Sequence, residues 1–183
     1  MRFFPNGKFL AIAAVAGFGL SLANQPAAQA ATESANLDIS ATVAAACNIA
    51  TLPMNFGTYD SLTANASGGS DLLSAFPGVV AVACANGLGM NITLDGGQNF
   101  GGGSRNMAGP NPGDLLSYGL HFAGTGVSGT PPANCADPQW PAAGVADTGT
   151  GSQVGYWVYG CAPKGQAPSA GAYGDTVVAT VTF

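Results

Sequence analysis

The strongest β-strand signal in the sequence lies in its last eleven residues, Tyr173-Gly174-Asp175-Thr176-Val177-Val178-Ala179-Thr180-Val181-Thr182-Phe183. Alternate residues of an extended chain point to the same face. One of the two sets is apolar apart from Asp175, and the other is mostly threonine. This period of two, rich in β-branched residues, predicts one strand over 173–183 with a single buried face. The apolar set comprises Tyr173, Val177, Ala179, Val181 and Phe183.

A second alternating stretch lies much earlier, where Leu37, Ile39, Ala41 and Val43 are separated by polar residues. The alternation continues to Ile49, and thirteen residues exceed the five or six of a usual strand. We therefore expect 37–43 and 44–49 to have separate roles. From the residues alone, two interpretations stay open: 37–43 is the first strand of its own domain, or it pairs with a neighbouring molecule.

Further strand patterns recur between Gly- and Pro-rich turns, and no apolar 3.6-residue period with helix caps interrupts them. Many short strands with such punctuation predict an all-β fold, a sandwich or a closed sheet. The stretch 123–155 is rich in Gly, Pro, Thr and Ala and is predicted to be a long loop, with Trp140 as an apolar anchor. It is interpreted as a tolerated surface insertion, with a contact loop as the alternative. The other predicted strands are 79–84, 90–94, 116–122 and 154–159.

Residues 1–30 have the pattern of a secretory signal peptide. Arg2 and Lys8 precede an apolar run from Leu10 to Leu22, and Ala28-Gln29-Ala30 has the small-residue spacing of a cleavage site. Thirteen apolar residues are too few to cross a bilayer, which takes about 20. The sequence therefore predicts export and a mature chain that begins at Ala31.

Removal of residues 1–30 leaves two cations and nine acids, two minus nine, a net charge of −7. So acidic a chain is a poor partner for nucleic acid or an anionic membrane. Charged residues make up 7% of the whole sequence, where about a quarter is usual. A surface with so little charge favours a protein that is largely covered by neighbours in an assembly.

The four cysteines Cys47, Cys84, Cys135 and Cys161 all follow the export signal. In an oxidising compartment two disulfides are expected, and three pairings are possible. We favour Cys47–Cys84 with Cys135–Cys161, because these pairs close two consecutive loops. A zinc site is disfavoured because no C-x2-C spacing occurs.

No catalytic or cofactor site is predicted. The only histidine, His121, lies on a strand opposite the Leu120/Phe122 face and is expected to be solvated or hydrogen-bonded. The nine acids are scattered singly, unlike calcium loops or paired-carboxylate hydrolases. The sequons that begin at Asn65 and Asn91 are treated as chance matches. We therefore expect a protein that is not an enzyme.

Several motifs, taken in order, resemble the secreted spore-coat-U (SCPU) domain proteins, a family that includes subunits of archaic chaperone–usher pili. The resemblance spans nearly the whole mature chain, and the C-terminal motif is the most specific. The matching pieces are Ala41-Thr42-Val43 before Cys47, Phe56-Gly57-Thr58-Tyr59, Cys84, Leu94-Asp95-Gly96-Gly97, Arg105-Asn106-Met107, Leu116-Ser117-Tyr118-Gly119-Leu120, Tyr159-Gly160, Gln166, and Gly171-Ala172-Tyr173-Gly174-Asp175-Thr176-Val177 through Phe183.

This resemblance implies an incomplete immunoglobulin-like β-sandwich, residues 44–183, that is completed by a donor strand from another polypeptide. Residues 31–43 would be the donor segment, inserting Leu37, Ile39, Ala41 and Val43. The strand bordering the acceptor groove, which a chaperone would also contact, would present Val177, Ala179, Val181 and Phe183. It also implies Cys47–Cys84 as the family's usual disulfide, whereas the second cysteine pair and the 123–155 stretch depart from the family pattern.

The function that the resemblance implies is that of a structural subunit of an extracellular chaperone–usher pilus, used for adhesion and biofilm formation. Its partners would be other subunits, a periplasmic chaperone and an outer-membrane usher, and its route would lead through the periplasm to the cell surface. The alternatives are a spore or cyst coat protein, or a secreted carbohydrate- or surface-binding module that uses Trp140, Trp157 and the long loop.

Overall fold

The structure is a computed structural model that describes residues 31–126 and 129–183. The predicted signal peptide, residues 1–30, lies outside the described residues. Thr42–Phe183 form one compact unit, and the chain up to Ala41 is assigned to a separate unit. The described part of that separate unit, residues 31–41, is exposed and contains no helix or strand.

All regular structure in the described ranges is β-strand, and these ranges contain no helix long and apolar enough to span a membrane. Short runs that are rich in β-branched and aromatic residues favour strands. The strands are β1 Cys47–Leu52, β2 Leu72–Leu73, β3 Gly78–Cys84, β4 Gly89–Leu94, β5 Arg105–Ala108, β6 Leu115–Thr125, β7 Val145–Thr148, β8 Gln153–Ala162 and β9 Ala179–Thr182.

The strands form two antiparallel sheets that face each other across one core. The larger sheet has the order β1-β3-β8-β6-β5, with the short β2 also paired to β8, and the smaller has the order β7-β4-β9. Val82 and Tyr156 of the larger sheet and Ile92 of the smaller sheet are almost fully buried between them. The prediction of an all-β sandwich is confirmed.

The first strand begins later than the alternating pattern indicates. The pattern favours a strand ending at Ile49, whereas β1 runs from Cys47 to Leu52 and pairs with β3 along its whole length. Residues 31–46 are exposed and in no strand. The alternation of 37–43 therefore has no ladder partner among the described residues.

The last strand is shorter than predicted, because only Ala179–Thr182 pair with β4. Asp95 interrupts the ladder just before this stretch: its carboxylate accepts the Val178 N–H at 2.9 Å, while its own N–H donates to the Val178 carbonyl at 3.0 Å. Upstream, Gly174 makes an isolated bridge to Ala108 of β5. The segment thus passes from one sheet to the other instead of running as one eleven-residue strand.

The prediction of one long loop over 123–155 is wrong in part. The stretch includes the end of β6, all of β7 and the start of β8. β7 was missed because its four residues contain Asp147, which is exposed but lies opposite the buried Met90 and accepts a hydrogen bond from the Tyr156 hydroxyl at 2.8 Å. A polar residue at a core-facing position hides the alternation of so short a strand.

Both disulfides form as predicted from the sequence. Cys47 and Cys84 are directly opposite each other on β1 and β3, with their Cα atoms 4.1 Å apart. Cys135 is joined to the buried Cys161 of β8 and ties the connection between β6 and β7 to the larger sheet. All four sulfurs are therefore bonded in pairs, which leaves no thiolate for the zinc site considered above.

Candidate functional site

A large groove opens between the two sheets, along the line where β1 and β9 come nearest to each other. Its volume is about 1040 Å³. Thr51 and Leu52 of β1 form one wall, and Val177 and Ala179 form the other. Its floor is the apolar inner face of the sandwich, with contributions from Val80, Leu94, Met107, Leu116, Tyr118, Leu120 and Val158.

The groove leaves the inner face of β1 uncovered. Ile49 lies opposite Val82 of β3 and shares its face of the sheet. Val82 is only 1% exposed, whereas Ile49 is 39% exposed. Val82 lies on the second strand of the sheet and Ile49 on its edge strand, so the exposure of Ile49 indicates that the core-facing side of β1 is partly uncovered.

β9 presents unpaired backbone groups to this opening. Among the described residues its only strand partner is β4. The bond from the Asp95 N–H to the Val178 carbonyl fixes the phase of this antiparallel ladder, in which hydrogen-bonded pairs alternate. Thr180 and Thr182 therefore direct their backbone groups toward β4, whereas Ala179 and Val181 direct theirs away from it, to the open edge.

The same reasoning places backbone groups of β1 on the opposite bank. The Ala85 N–H donates to the Ala46 carbonyl at 3.0 Å, next to the first pair of the β1–β3 ladder. Asn48, Ala50 and Leu52 thus direct their backbone N–H and C=O groups toward β3. Cys47, Ile49 and Thr51 direct their N–H and C=O groups to the free edge. Among the described residues, the groove consequently has one unpaired strand edge on each side.

The far edge of the larger sheet is covered in part, whereas β7, the other edge strand of the smaller sheet, pairs only with β4 among the described residues. Ala108 of β5 exchanges two backbone hydrogen bonds with Gly174, at 2.9 and 3.0 Å. Beyond the end of β5, the Trp140 N–H donates to the Leu120 carbonyl of β6 at 2.6 Å. An exposed strand edge is a site for pairing with other chains, and proteins usually block it. The open edges of β1 and β9 therefore stand out against a sandwich that protects its other long edge.

A polar cluster fixes the segment that leads into β9. The Asp175 carboxylate accepts hydrogen bonds from the Tyr118 hydroxyl at 2.7 Å, the Gln98 N–H at 2.9 Å and the Asn99 amide at 3.2 Å. Burial, together with this bond to a carboxylate, raises the pKa of Tyr118 far above its usual value. Nearby, the Arg105 guanidinium donates to the Asp95 carbonyl at 2.7 and 2.9 Å. These contacts hold the groove wall in place.

The connection between β1 and β2 shapes the groove from the other side. Met54 and Phe56 both line the groove and lie against Gly160 of β8, where any side chain would collide with them. The Phe56 ring also meets Tyr118 edge-on, with centroids 5.7 Å apart. Gly57 follows with φ +84, a conformation that favours glycine. After this turn, residues 57–62 continue along the groove and line it as well.

Of the predicted acceptor residues, Ala179 and Val181 lie on β9, and Val177 and Phe183 lie just outside its two ends. Val177 and Ala179 line it directly, Val181 is partly buried, and Phe183 at the end of the chain is 56% exposed. The predicted donor residues Leu37, Ile39 and Val43 are 83–88% exposed, as is expected of apolar side chains that have no core of their own.

Sequence reasoning missed the polar part of the site. Asp175 and Tyr118 both lie in motifs that were recognised in the sequence, but no contact between them was predicted. The signal that identifies them is a core-facing polar residue, which requires a partner at hydrogen-bond distance. Met54 and Phe56 were hidden by Pro53 and Gly57, which break the strand pattern.

Three side chains singled out in the sequence are buried. Trp140 is 5% exposed and packs edge-on against Phe122, so it is an anchor and is unavailable as a contact residue. His121 is 2% exposed rather than solvated, with Nδ1 3.1 Å from the Pro138 carbonyl. The Asn65 side-chain oxygen accepts the Asp60 N–H and its nitrogen donates to the Ser70 carbonyl, so both polar atoms are engaged within the loop.

Comparison with known proteins shows which family has this sequence and geometry. The chain resembles, at 21% identity and a TM-score of 0.49, a chain in the crystal structure of the CsuC–CsuE chaperone–tip adhesion subunit pre-assembly complex from archaic chaperone–usher Csu pili of Acinetobacter baumannii; the match covers 78% of this chain and 40% of that one. It is 36% identical to Protein U of Myxococcus xanthus over 194 positions, which cover 97% of this chain and 99% of Protein U. The Spore Coat Protein U domain model matches residues 33–180. With nearly the whole described chain inside that match, the protein belongs to the Spore Coat Protein U domain family.

Proposed function

We propose that this protein is a non-enzymatic structural subunit of an extracellular chaperone–usher fibre, and that it polymerises by donor-strand exchange. The groove between β1 and β9 accepts residues 37–43 of another subunit. Before assembly, a periplasmic chaperone fills the groove, and an outer-membrane usher exports the subunit. The resulting fibre serves surface adhesion and biofilm formation.

The observation that carries the proposal is the open groove itself. The groove combines an apolar cavity with two free strand edges. Addition of an extended peptide to such an edge is a known mode of recognition. The chain also carries an exposed segment of matching chemistry, with Leu37, Ile39, Ala41 and Val43 on one face. A contact of this head-to-tail kind does not close on itself and therefore builds a filament.

The free energy available is sufficient for a stable link. Burial of the four donor side chains contributes about 5–8 kcal/mol, since a large aliphatic gives about 1.5–3 kcal/mol and alanine less. Each new backbone hydrogen bond adds about 0.5–1.5 kcal/mol. The exposed donor side chains have nearly all of this apolar surface still to bury.

A matched pair of variants tests the donor segment. Ile39→Asp places a charge on the face predicted to enter the groove, and Ser40→Asp places the same charge on the opposite face. After periplasmic expression, gel filtration and unboiled gel electrophoresis should show heat-labile oligomers for the wild type and for Ser40→Asp, and their loss in Ile39→Asp. Equal oligomerisation of both variants would show that 37–43 is not inserted in this orientation.

A coat protein is the second candidate, favoured by the description of the family, Spore Coat Protein U domain. Both functions use the same assembly contact, and they differ in where the polymer goes. Immunogold labelling of the producing cells separates them. Thin fibres extending from vegetative cells support the pilus, and a layer restricted to spores or cysts supports the coat.

A further inference from the structure

The smaller sheet has a further open edge on β7, away from the groove. β7 is a strand of four residues, of which the last three are exposed, and its only strand partner among the described residues is β4. We propose that this edge is a surface for pairing with β7 of a second copy of the chain, and that the Asp147 carboxylate keeps it closed. The closure of β7 does not depend on what fills the groove between β1 and β9.

The backbone groups that β7 offers to a partner follow from its ladder with β4. The Gly149 N–H donates to the Leu88 carbonyl at 2.8 Å, in register with the pairs of this ladder. Hydrogen-bonded pairs alternate along antiparallel strands, so Asp147 directs its backbone groups toward β4. Ala146 and Thr148 direct theirs away from β4. The phase of the β4–β9 ladder agrees with this, because successive residues of β4 face alternate neighbours.

Asp147 already occupies part of this edge. One oxygen of its carboxylate accepts the Thr148 N–H at 2.8 Å, and the other accepts the Tyr156 hydroxyl at 2.8 Å. The Thr148 N–H therefore has a partner within its own chain. Because Tyr156 belongs to β8 of the larger sheet, the second bond holds the carboxylate in this position. Short edge strands and charges at the edge are common protections against extension of a sheet.

The pairing that would use the whole open edge is symmetric about Asp147. Two β7 strands related by a two-fold axis run antiparallel, and Ala146 of one copy then exchanges both hydrogen bonds with Thr148 of the other. In this register the two Asp147 residues lie directly opposite each other, with Cα atoms about 4.5 Å apart. Like charges in such a pair are destabilising. The edge of β7 is thus complementary to itself except at Asp147.

Variants of the full chain test the block, all in the Ile39→Asp background that removes the proposed donor face. Asp147→Ala removes both hydrogen bonds and the charge, so sedimentation velocity should show a dimer that increases with protein concentration. Asp147→Lys loses the same two bonds but again places like charges opposite each other, and it should stay a monomer. Dimers of both variants, or of neither, would overturn the proposal.

A third variant covers the case in which Asp147→Ala does not fold. Asp147→Thr introduces a good strand former, and two threonines directly opposite each other stabilise a strand pair. It should therefore dimerise as the alanine variant does. A folded threonine variant that stays a monomer at high concentration contradicts the proposal.

Ala146→Pro shows whether the dimer uses this edge. The Ala146 N–H points away from β4, so proline leaves that ladder intact and removes a donor from the open edge. Added to Asp147→Ala, it should restore the monomer. A dimer that persists would show that the copies meet elsewhere.

Hydrogen exchange reads the same contact directly. The Ala146 amide should exchange about tenfold or more slowly in the Asp147→Ala dimer than in Ile39→Asp alone, since exchange of a paired amide requires local opening. Unchanged exchange at Ala146 in the dimer would contradict the proposal. Failure of the proposed function gives a different result, because Ile39→Asp would then keep the oligomer ladder of the wild type, while the Ala146 amide still reports on β7.

Discussion

At the scale of single residues, a partly buried hydrogen bond helps to set the position of β9. Tyr118 projects from β6 into the core, and its hydroxyl reaches the Asp175 carboxylate at 2.7 Å. Asp175 lies four residues before β9, so this contact sets where the strand enters the smaller sheet. The sequence motif containing each residue was recognised, but no local pattern joins two positions that are 57 residues apart.

Tyr118→Phe removes this bond while keeping the ring in place. A hydrogen bond to a charged group contributes about 1.5–3 kcal/mol, so we expect the free energy of unfolding to fall by about that amount in urea titrations. Tyr159→Phe, on the opposite face of the larger sheet, is the matched control and should change stability by less than about 0.5 kcal/mol. If both substitutions lowered the free energy of unfolding equally, the hydrogen bond to Asp175 would not be the cause of the loss.

Asp71 predicts a pH dependence. Hydrogen bonds from the backbone N–H groups of Cys135 and Lys164, with a contribution from the Lys164 charge, hold the pKa of this carboxyl below its usual value. A lowered folded-state pKa stabilises the protein above the unfolded value, about 3.9, and the contribution is lost as pH falls through the folded value.

Unfolding of the wild type and Asp71→Asn at several pH values checks this expectation. The wild type should be the more stable protein above about pH 5, where the unfolded carboxyl is also ionised. The difference should shrink as the pH falls below about 4. A difference that stays constant from pH 7 to pH 3 would show that the charge on Asp71 does not stabilise the loop.

At the scale of the elements, the positions of several strands could be predicted from the sequence, but the length of the last strand could not. The alternating and apolar runs identified β3, β4, β6 and β8, because burial on one or both faces leaves a direct record in the sequence. β9 was predicted too long, since Asp95 replaces a ladder partner with its side chain. Asp95 lies 83 positions before Val178 in the sequence, so no local pattern shows that its carboxylate takes the place of a backbone partner.

The packing of the β1–β2 connection onto β8 gives a prediction at this scale. Gly160→Ala adds a methyl group that collides with Phe56 and Met54, and such overpacking costs about 1–3 kcal/mol. Thermal unfolding should report a lowered melting temperature. Gly89→Ala in β4, where an added methyl group meets nothing within 4 Å, should leave stability unchanged or slightly raised.

At the scale of the whole molecule, the open strand edges of β1 and β9 lie on the same groove. The all-β class and both disulfide pairings followed from the sequence, because strand periodicity and consecutive cysteine loops are local features. The groove could be expected only through the family resemblance. Its walls come from β1, β9 and the Met54–Phe56 connection, which approach one another only after the two sheets have packed.

The most direct measurement is hydrogen exchange at the edge of β9, which compares assembled wild type with protein lacking residues 31–43. The Ala179 and Val181 amides should exchange slowly in the assembled protein and fast in the truncated one, because the proposed donor strand of another molecule would cover that edge. The Thr180 and Thr182 amides, bonded to β4, should be protected in both. Equal protection of Ala179 and Val181 in both proteins would contradict the account.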